Sequence, residues 1–256
     1  MSDHYPHLVS LLSRGDAVAI ALSGGVDSAL VAAAAADADI EAMAVTVFSP
    51  VFAEWQRRQA SDVAAEIGIR HVVVETDRLP PVGENRCARC KREMARLWKQ
   101  TAAAHGFTRV ADGVTVADLA NPARPGARMA TEMDIWHPLA ELELAEADIR
   151  EMAHERGLSV WNMPSEACLA SRLPSDEPVT NEKMERIAAA EHMLREISPR
   201  VRVRVHGDLA RIELPPELSE AVLQQRDHIV AGMHDLGFRY VTLDLQGFRH
   251  GSMHPR

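Results

Sequence analysis

Six consecutive residues, Ser23-Gly24-Gly25-Val26-Asp27-Ser28, hold what a polyphosphate needs. Successive backbone N–H groups in a glycine-rich turn form a concave nest for anions. A helix that starts there adds a partial positive charge. Gly24 and Gly25 are expected to take unusual dihedrals and to let a phosphate approach the chain. Ser23 and Ser28 add hydroxyl donors, and Asp27 can hold a Mg²⁺ ion on a pyrophosphate. The Walker pattern, Gly-x-x-x-x-Gly-Lys-Ser/Thr, is absent, since the string has no lysine. The competing view is a plain strand-to-helix turn capped by Asp27. The full string at the first strand–helix connection favours phosphate.

The second chemical feature is sulfur. The chain has three cysteines: Cys87 and Cys90, spaced as Cys-x-x-Cys, and Cys168. So small and odd a number is not a disulfide framework. A structural zinc needs a fourth ligand, and neither His105 nor His137 has a clear spacing to the pair. A redox disulfide between Cys87 and Cys90 lacks thioredoxin-like surroundings. The third reading is a 4Fe–4S cluster held by the three thiolates with one iron left open. Cys168 could also be a small buried apolar residue. Its polar, proline-flanked loop, Glu166 to Arg172, argues against that. Arg172 is close enough in sequence to lower the thiol pKa wherever the fold brings the two together.

Further candidates are cationic. Arg202 and Arg204 stand two apart on an expected strand and share one face, which suits a phosphate. An ordinary solvated strand face would look the same. Asp112-Gly113 ends the fourth expected strand, where parallel sheets bind ligands. Arg124 and Arg128, in the loop beyond, are candidates for nucleotide or substrate, or for plain solvation. Trp98, Trp136 and Trp161 could stack on a ring, with core packing the better reading for Trp98. His250 and His254 in the tail could take up metal adventitiously and are given no function.

These residues need a scaffold, and the hydrophobic pattern supplies one. An amphipathic helix precedes Gly15. Strands are expected over Asp16–Leu22, Glu41–Phe48, His71–Glu75 and Thr108–Ala111. Helices are expected over Ser28–Ala36, Glu54–Ile67 and Arg89–His105. Strands alternating with helices predict an α/β fold, a doubly wound parallel sheet covered on both faces. Gly113–Gly126, broken by prolines, reads as a long loop over the sheet edge. Leu142–Arg156 reads as a helix and Leu158–Asp176 as a functional loop and linker.

The pattern then changes. Helix Asn181–Glu196, strands Arg200–His206 and Leu209–Leu214 about a Gly207-Asp208 hairpin turn, helix Pro216–Met233 and strand Arg239–Leu245 follow. This α-β-β-α-β order predicts a smaller C-terminal α+β domain. The expected division is residues 1–174 for the nucleotide domain with the cysteine motifs, and 175–256 for substrate or phosphate binding and oligomerisation.

A net charge of −9 in 256 residues speaks against a general nucleic-acid binder, which would show a basic surface. No apolar run reaches the roughly 20 residues of a membrane span, and the N-terminus has no basic-then-apolar leader. A cytoplasmic protein with no membrane partner is the expectation.

The phosphate string resembles that of the ATP-pyrophosphatase (PP-loop) superfamily, with its adenine nucleotide α-hydrolase-like fold. Members cleave ATP between the α and β phosphates, adenylylate an oxygen, and let a nucleophile displace AMP. The resemblance places the adenine near Val45–Ser49 and makes Ser49 and Gly113 candidate nucleotide contacts. Asn85-Arg86-Cys87-Ala88-Arg89-Cys90-Lys91, Ala167-Cys168-Leu169-Ala170-Ser171-Arg172, Val201-Arg202-Val203-Arg204, Ala210–Pro215 and Gly237–Asp244 resemble the LarE family. The similarity runs from Ser23 to Arg249.

The LarE resemblance implies an ATP-dependent sulfur transferase acting on a small mononucleotide, pyridinium-3,5-biscarboxylic acid mononucleotide, on the way to the nickel-pincer nucleotide cofactor. The motifs that carry the resemblance make Ser171, Arg172, Arg202 and Arg204 the candidate substrate and phosphate ligands, beside Arg124 from its loop. Glu191 and Glu213 match acidic positions of the family without an assigned role. The family has two sulfur sources. A cysteine at the position of Cys168 gives up its own sulfur, or three cysteines hold a 4Fe–4S cluster whose open iron carries a sulfide. All three cysteines are present, which favours the cluster. A homo-oligomer, with a hexamer as one form, and a sulfide-donating partner protein are also implied. A PP-loop enzyme that thiolates tRNA is the alternative, disfavoured by the acidic balance.

Overall fold

The computed structural model describes residues 4–249 together with 252 and 253, so His250 and His254 lie outside the described residues. The described chain forms two compact units. One comprises the described residues up to Arg78 with Asn85–Glu166. The other comprises Leu79–Glu84 with the described residues from Ala167 onward.

The first unit is built on four parallel strands in the order β3-β2-β1-β4: β1 (Ala17–Ala21), β2 (Glu41–Phe48), β3 (Arg70–Glu75) and β4 (Val110–Ala111). β1 is central and carries only small or branched apolar residues, as a strand covered on both faces must. Its alternation divides the core. Val18 and Ile20 pack with Leu8, Leu30, Ile149 and Met152 on one side. Ala19 and Ala21 pack with Met43, Val45, Trp98 and Phe107 on the other. On the first side lie α1 (His4–Leu12), α2 (Val26–Asp37) and α8 (Glu146–Glu155). α2 is buried nearly all round, which explains its run of alanines: larger side chains would not fit between sheet and neighbours. α3 (Glu54–Ile67) stops at Gly68, whose φ of 79° makes the left-handed cap. α4 (Arg86–Ala104) contributes Ala95, Trp98 and Ala102 to the second core.

The helices of the first unit depart from the sequence expectation in several places, each with a local cause. Residues 113–126 are not one loop, because Thr115 caps a short helix α5 (Val116–Ala120), accepting the Asp118 N–H. Pro125 opens α6 (Pro125–Glu132) at its first turn, where proline starts helices rather than breaking them. α4 begins at Arg86, so Cys87 and Cys90 lie in its first turn. The helix expected from Leu142 starts only at Glu146. Glu143, in left-handed backbone at φ 52°, separates it from α7 (Pro138–Glu141).

The second unit holds a three-stranded sheet. β5 (Arg202–His206) and β6 (Leu209–Glu213) are antiparallel, and β7 (Tyr240–Leu243) pairs parallel with β6. Gly207, at φ 59°, makes the two-residue hairpin turn. One face of β5–β6 is apolar, with Val203, Val205, Ala210 and Ile212 buried. α9 (Asn181–Leu194) belongs to this unit. The helix expected over 216–233 is interrupted: a 3-10 turn leads into α10 (Ser219–Gln224), and Gln225 leaves helical dihedrals before α11 (Arg226–Asp235). Leu79–Glu84 joins the unit through the Gly83 N–H, which donates to the Ser175 carbonyl at 2.9 Å.

Candidate active site

The loop from β1 to α2 is fixed by its own side chains. Ser28 Oγ donates to the Gly25 carbonyl (3.1 Å), accepts the Ser23 N–H (3.1 Å) and lies 3.0 Å from Ser23 Oγ. The two serines therefore lock the loop shape as well as offering hydroxyls. Gly24 has φ +81°, and a Cβ there would sit 2.9 Å from the Ala60 nitrogen of α3. Gln59 donates to the Gly24 carbonyl from the same helix. Gly25 differs from the expectation. Its backbone is ordinary extended chain at φ −83°, and it serves as the N-cap of α2 with no side-chain cap bond. The N–H groups of Val26, Asp27 and Ser28 thus have no acceptor inside the helix, which leaves an anion site at the positive end of a twelve-residue helix.

Asp27 sits at this end. Burial pushes its carboxyl up to about 6; Asp118 and Glu146 add to the rise, while Arg150 and Arg124 oppose it. A carboxylate held against its preference for protonation gains by meeting a divalent cation. The loop thus fits a Mg–ATP complex: helix N–H groups for the phosphates and Asp27 for the ion. Arg124 is ion-paired with Asp118 and lies 3.5 Å from Ser165 Oγ, and Arg128 donates to the Leu119 carbonyl. Both are committed to holding the 118–128 segment.

Gly113 follows β4 and meets the same helix start. A Cβ on Gly113 would lie 2.5 Å from the Ser28 nitrogen and 2.7 Å from the Asp27 carbonyl carbon, so only glycine fits. Beside it Asp112 is buried. Its Oδ1 accepts from His137 Nδ1 (2.6 Å) and the Val114 N–H (3.1 Å), and its Oδ2 from Lys91 Nζ (3.3 Å). Burial alone would raise this carboxyl; Lys91, His137 and the Val114 N–H outweigh it and hold the group below the usual carboxylate range. His137 also meets Thr131 through Nε2 at 2.9 Å. Ser49, just beyond β2, is buried, and its carbonyl accepts the Phe52 N–H.

The cysteines divide between the units. Cys87 is exposed and Cys90 half-buried in the first turn of α4; Cys168, half-buried, precedes the 3-10 turn Leu169–Arg172 of the second unit. Among the described residues, no group of three or more His, Cys, Asp or Glu side chains is arranged to hold a metal ion. Lys91 lies 4.5 Å over the Trp98 ring, and a Cβ added at Gly126 would come 3.4 Å from Lys91 Cβ, so the two segments are close neighbours. Trp136 is stacked by Arg109, and Trp161 meets His154 edge-on.

In the second unit the candidate arginines Arg172, Arg202 and Arg204 are buried rather than solvated. Arg172 is 1% exposed, forms a fork with Glu191 (2.7 and 2.8 Å), and donates to the Ala167 and Cys168 carbonyls. Its charge is spent on Glu191 while its remaining nitrogen fixes the backbone of the cysteine loop. Ser171 Oγ also donates to the Cys168 carbonyl at 2.8 Å. Arg204 pairs with Glu213 (3.0 Å) and donates to the Ser171 carbonyl (3.1 Å). Arg202 reaches the Val201 carbonyl and lies over the Phe248 ring. Register places Arg204 opposite Arg211, a repulsive cross-strand pair that Glu213 bridges by bonding both. Glu191 and Glu213 thus acquire roles that no local pattern announced.

A family model described as asparagine synthase matches residues 11–85, from the end of α1 to the residue before α4. The uncharacterized protein slr1717 of Synechocystis sp. is 39% identical over 247 residues, covering 93% of this chain and 92% of that protein. The pyridinium-3,5-bisthiocarboxylic acid mononucleotide synthase of Lactiplantibacillus plantarum is 34% identical over 257 residues, covering 96% of this chain and 92% of that protein. The uncharacterized protein MJ0830 of Methanocaldococcus jannaschii is 28% identical over 233 residues, covering 91% and 90%. A parallel sheet whose central strand opens through Ser-Gly-Gly-Val-Asp-Ser into a buried helix defines a PP-loop enzyme, one that uses ATP. Within that class the similarity is to sulfur transferases, and the chain belongs to the LarE family.

Proposed function

We propose that the chain adenylylates a carboxylate of pyridinium-3,5-biscarboxylic acid mononucleotide and converts it to a thiocarboxylate, a step in making the nickel-pincer nucleotide cofactor. What carries the reading is the uncapped phosphate loop with Asp27, in a chain 34% identical over 96% of its length to the L. plantarum synthase. Ser23–Ser28 hold the β and γ phosphates, with Asp27 on the Mg²⁺ ion, and Ser49 and Gly113 border the nucleotide. A substrate carboxylate oxygen attacks the α phosphorus, and pyrophosphate leaves with the bonding pair. The product is a mixed anhydride, needed because a bare carboxylate is a poor electrophile. A sulfur nucleophile then adds to the acyl carbon and AMP departs.

The row Arg172, Arg202, Arg204 and Arg211, of which only Arg211 is partly exposed, faces the carboxylates Glu191, Glu213 and Asp244. Of these arginines, Arg172, Arg202 and Arg204 are the side chains proposed to receive the substrate phosphate, since a guanidinium fork matches phosphate oxygens. Ser171 shares the loop with Arg172, and Arg124 borders the nucleotide domain's α5–α6 segment. The substrate is a small mononucleotide and not a nucleic acid, consistent with the net charge of −9.

For the sulfur, a 4Fe–4S cluster held by Cys87, Cys90 and Cys168 is the preferred source. The donor chemistry fits: two thiols one helical turn apart on α4, a third on a loop, and no fourth cysteine to close the last iron. When bound, such a cluster supplies a reactive sulfide. The second source is Cys168 itself, favoured by its half-buried thiol on a loop pinned by Arg172 and Ser171. Its thiolate would attack the acyl carbon. Removal of the Cα proton would then expel the thiocarboxylate with the sulfur electron pair, leaving dehydroalanine. A cytoplasmic homo-oligomer, up to a hexamer, reloaded by a sulfide-donating protein completes the proposal.

The test is anaerobic purification followed by measurement of iron, acid-labile sulfide and the visible spectrum. Roughly four irons per chain, with cluster absorption lost in Cys87→Ala, supports the cluster. Iron-free protein after attempted reconstitution, with loss of hydrogen sulfide mass at Cys168 after one turnover, supports sacrifice. A Cys168→Ala protein that makes thiocarboxylate at the normal rate sinks both routes.

A further inference from the structure

We infer that Asp112 is a positioning residue for the phosphate loop, acting through Gly113, and not a ligand of the nucleotide's metal ion. Both of its oxygens are used. Oδ1 is held by His137 and the Val114 N–H at 2.6 and 3.1 Å, and Oδ2 by Lys91 at 3.3 Å. With the residue only 3% exposed, no coordination site remains for an ion. What the carboxylate does hold is the turn after β4. It ties the Val114 N–H on one side of Gly113 to α4 through Lys91 and to the start of α7 through His137. Gly113 is thereby pressed on the Asp27–Ser28 peptide, with its Cα close enough that a Cβ would come 2.5 Å from the Ser28 nitrogen. That peptide carries one of the N–H groups at the anion site. A slackened turn lets the first turn of α2 drift, and N–H groups aimed at phosphate lose their common focus.

A purely structural role is the less economical account. A buried ion pair is rarely a net stabiliser compared with an apolar replacement of similar shape. This one lies at the carboxyl end of a parallel strand, where ligands bind, and its reach ends on the phosphate loop. Lys91 is also the residue after Cys90, so one side chain anchors both the cysteine turn and the nucleotide-side turn.

The inference rests on the PP-loop reading, and the experiment separates the two. Full-length wild-type protein, Asp112→Asn and Gly113→Ala are each titrated with the non-hydrolysable analogue α,β-methylene-ATP plus Mg²⁺, and separately with AMP. Melting temperatures are recorded alongside. Asp112→Asn keeps the shape but removes the charge that holds Lys91. Gly113→Ala pushes the same contact from the other side with Asp112 intact. Both variants are expected to weaken the ATP analogue about tenfold while changing AMP less than about twofold, because only the β and γ phosphates need the α2 N–H groups. The triphosphate-selective loss is the signature that a merely destabilised fold would not give. Equal losses for ATP analogue and AMP, or no loss in either variant, overturn the positioning role. Should Asp112→Asn fail to fold, Gly113→Ala and Lys91→Met decide on the same criterion. A wild-type protein that binds no ATP analogue overturns the nucleotide reading itself, and the inference with it.

Discussion

Replacing Asp27 with asparagine should stabilise the ligand-free protein while abolishing its chemistry. The folded state raises this carboxyl from 3.8 to about 6, first through burial and then through Asp118 and Glu146. A raised carboxyl pKa means that the folded state favours the protonated form. The native fold therefore has its full stability below pH 3.8 and loses some of it as pH climbs through 6, the reverse of a salt-bridged aspartate. Two units at about 1.36 kcal/mol each give a ceiling of about 3 kcal/mol at neutral pH, and solvent screening reduces this to about 1–2 kcal/mol. The Asp27→Asn variant would escape the cost, because an amide carries no charge to desolvate. The melting temperature of the first unit should rise by about 2–8 °C at pH 7.5, by about half as much at pH 5, and not at all near pH 3.5. Thermal unfolding followed by circular dichroism at those pH values reads the gain. Pyrophosphate release from ATP in the presence of acceptor should fall to background. A variant that melts lower than wild type at pH 7.5, or a gain that ignores pH, would refute the reasoning.

Other substitutions test other parts. Gly24→Ala must place a side chain at φ +81° and 2.9 Å from the Ala60 nitrogen. It should cost about 1–3 kcal/mol by denaturant melting and weaken Mg–ATP, where Gly25→Ala, in ordinary backbone, should cost far less in stability. Glu191→Ala strips the buried Arg172 of its fork and the Val203 N–H of its acceptor. A loss of about 3–5 kcal/mol, seen as early melting of the second unit, is expected, with Glu191→Gln intermediate. Arg204→Lys keeps a charge but forfeits the planar reach to both Glu213 and the Ser171 carbonyl. Turnover assays should show a higher substrate KM with little change in the KM for ATP.

The parts of the fold that can be read from the sequence are those whose signal is local and periodic. β1 announces itself by five apolar residues between turn signals, and α2 by alanines after a capping turn. The phosphate loop is legible because its chemistry is contiguous. Gly25 shows the limit even there: two adjacent glycines look alike, yet only Gly24 takes the left-handed backbone. Pro125-Gly126 misleads in the same way, since proline ends one helix and starts another, and only tertiary packing on α4 decides which. Partners distant in sequence are out of reach. Asp112 and His137 are 25 residues apart, Arg172 and Glu191 are 19 apart, and no spacing rule joins either pair. The spacing of Arg202 and Arg204 puts both on one strand face, but pattern alone does not tell a solvated face from a buried ionic row.

The six residues from Leu79 to Glu84 have a consequence for anyone wishing to take the protein apart. They belong with the C-terminal unit although the chain returns to the N-terminal one at Asn85. The polypeptide therefore crosses between units three times, and no single cut yields two whole pieces. A fragment stopped at Glu166 would carry this stray strap with its Ser175 acceptor missing, and a fragment begun at Ala167 would lack it. Two of the three crossings fall beside sulfur: Cys87 comes two residues after Asn85, and Cys168 one residue after Ala167. A protease nick or an inserted tag at either crossing would therefore cut the tether of a thiol as well as the link between units.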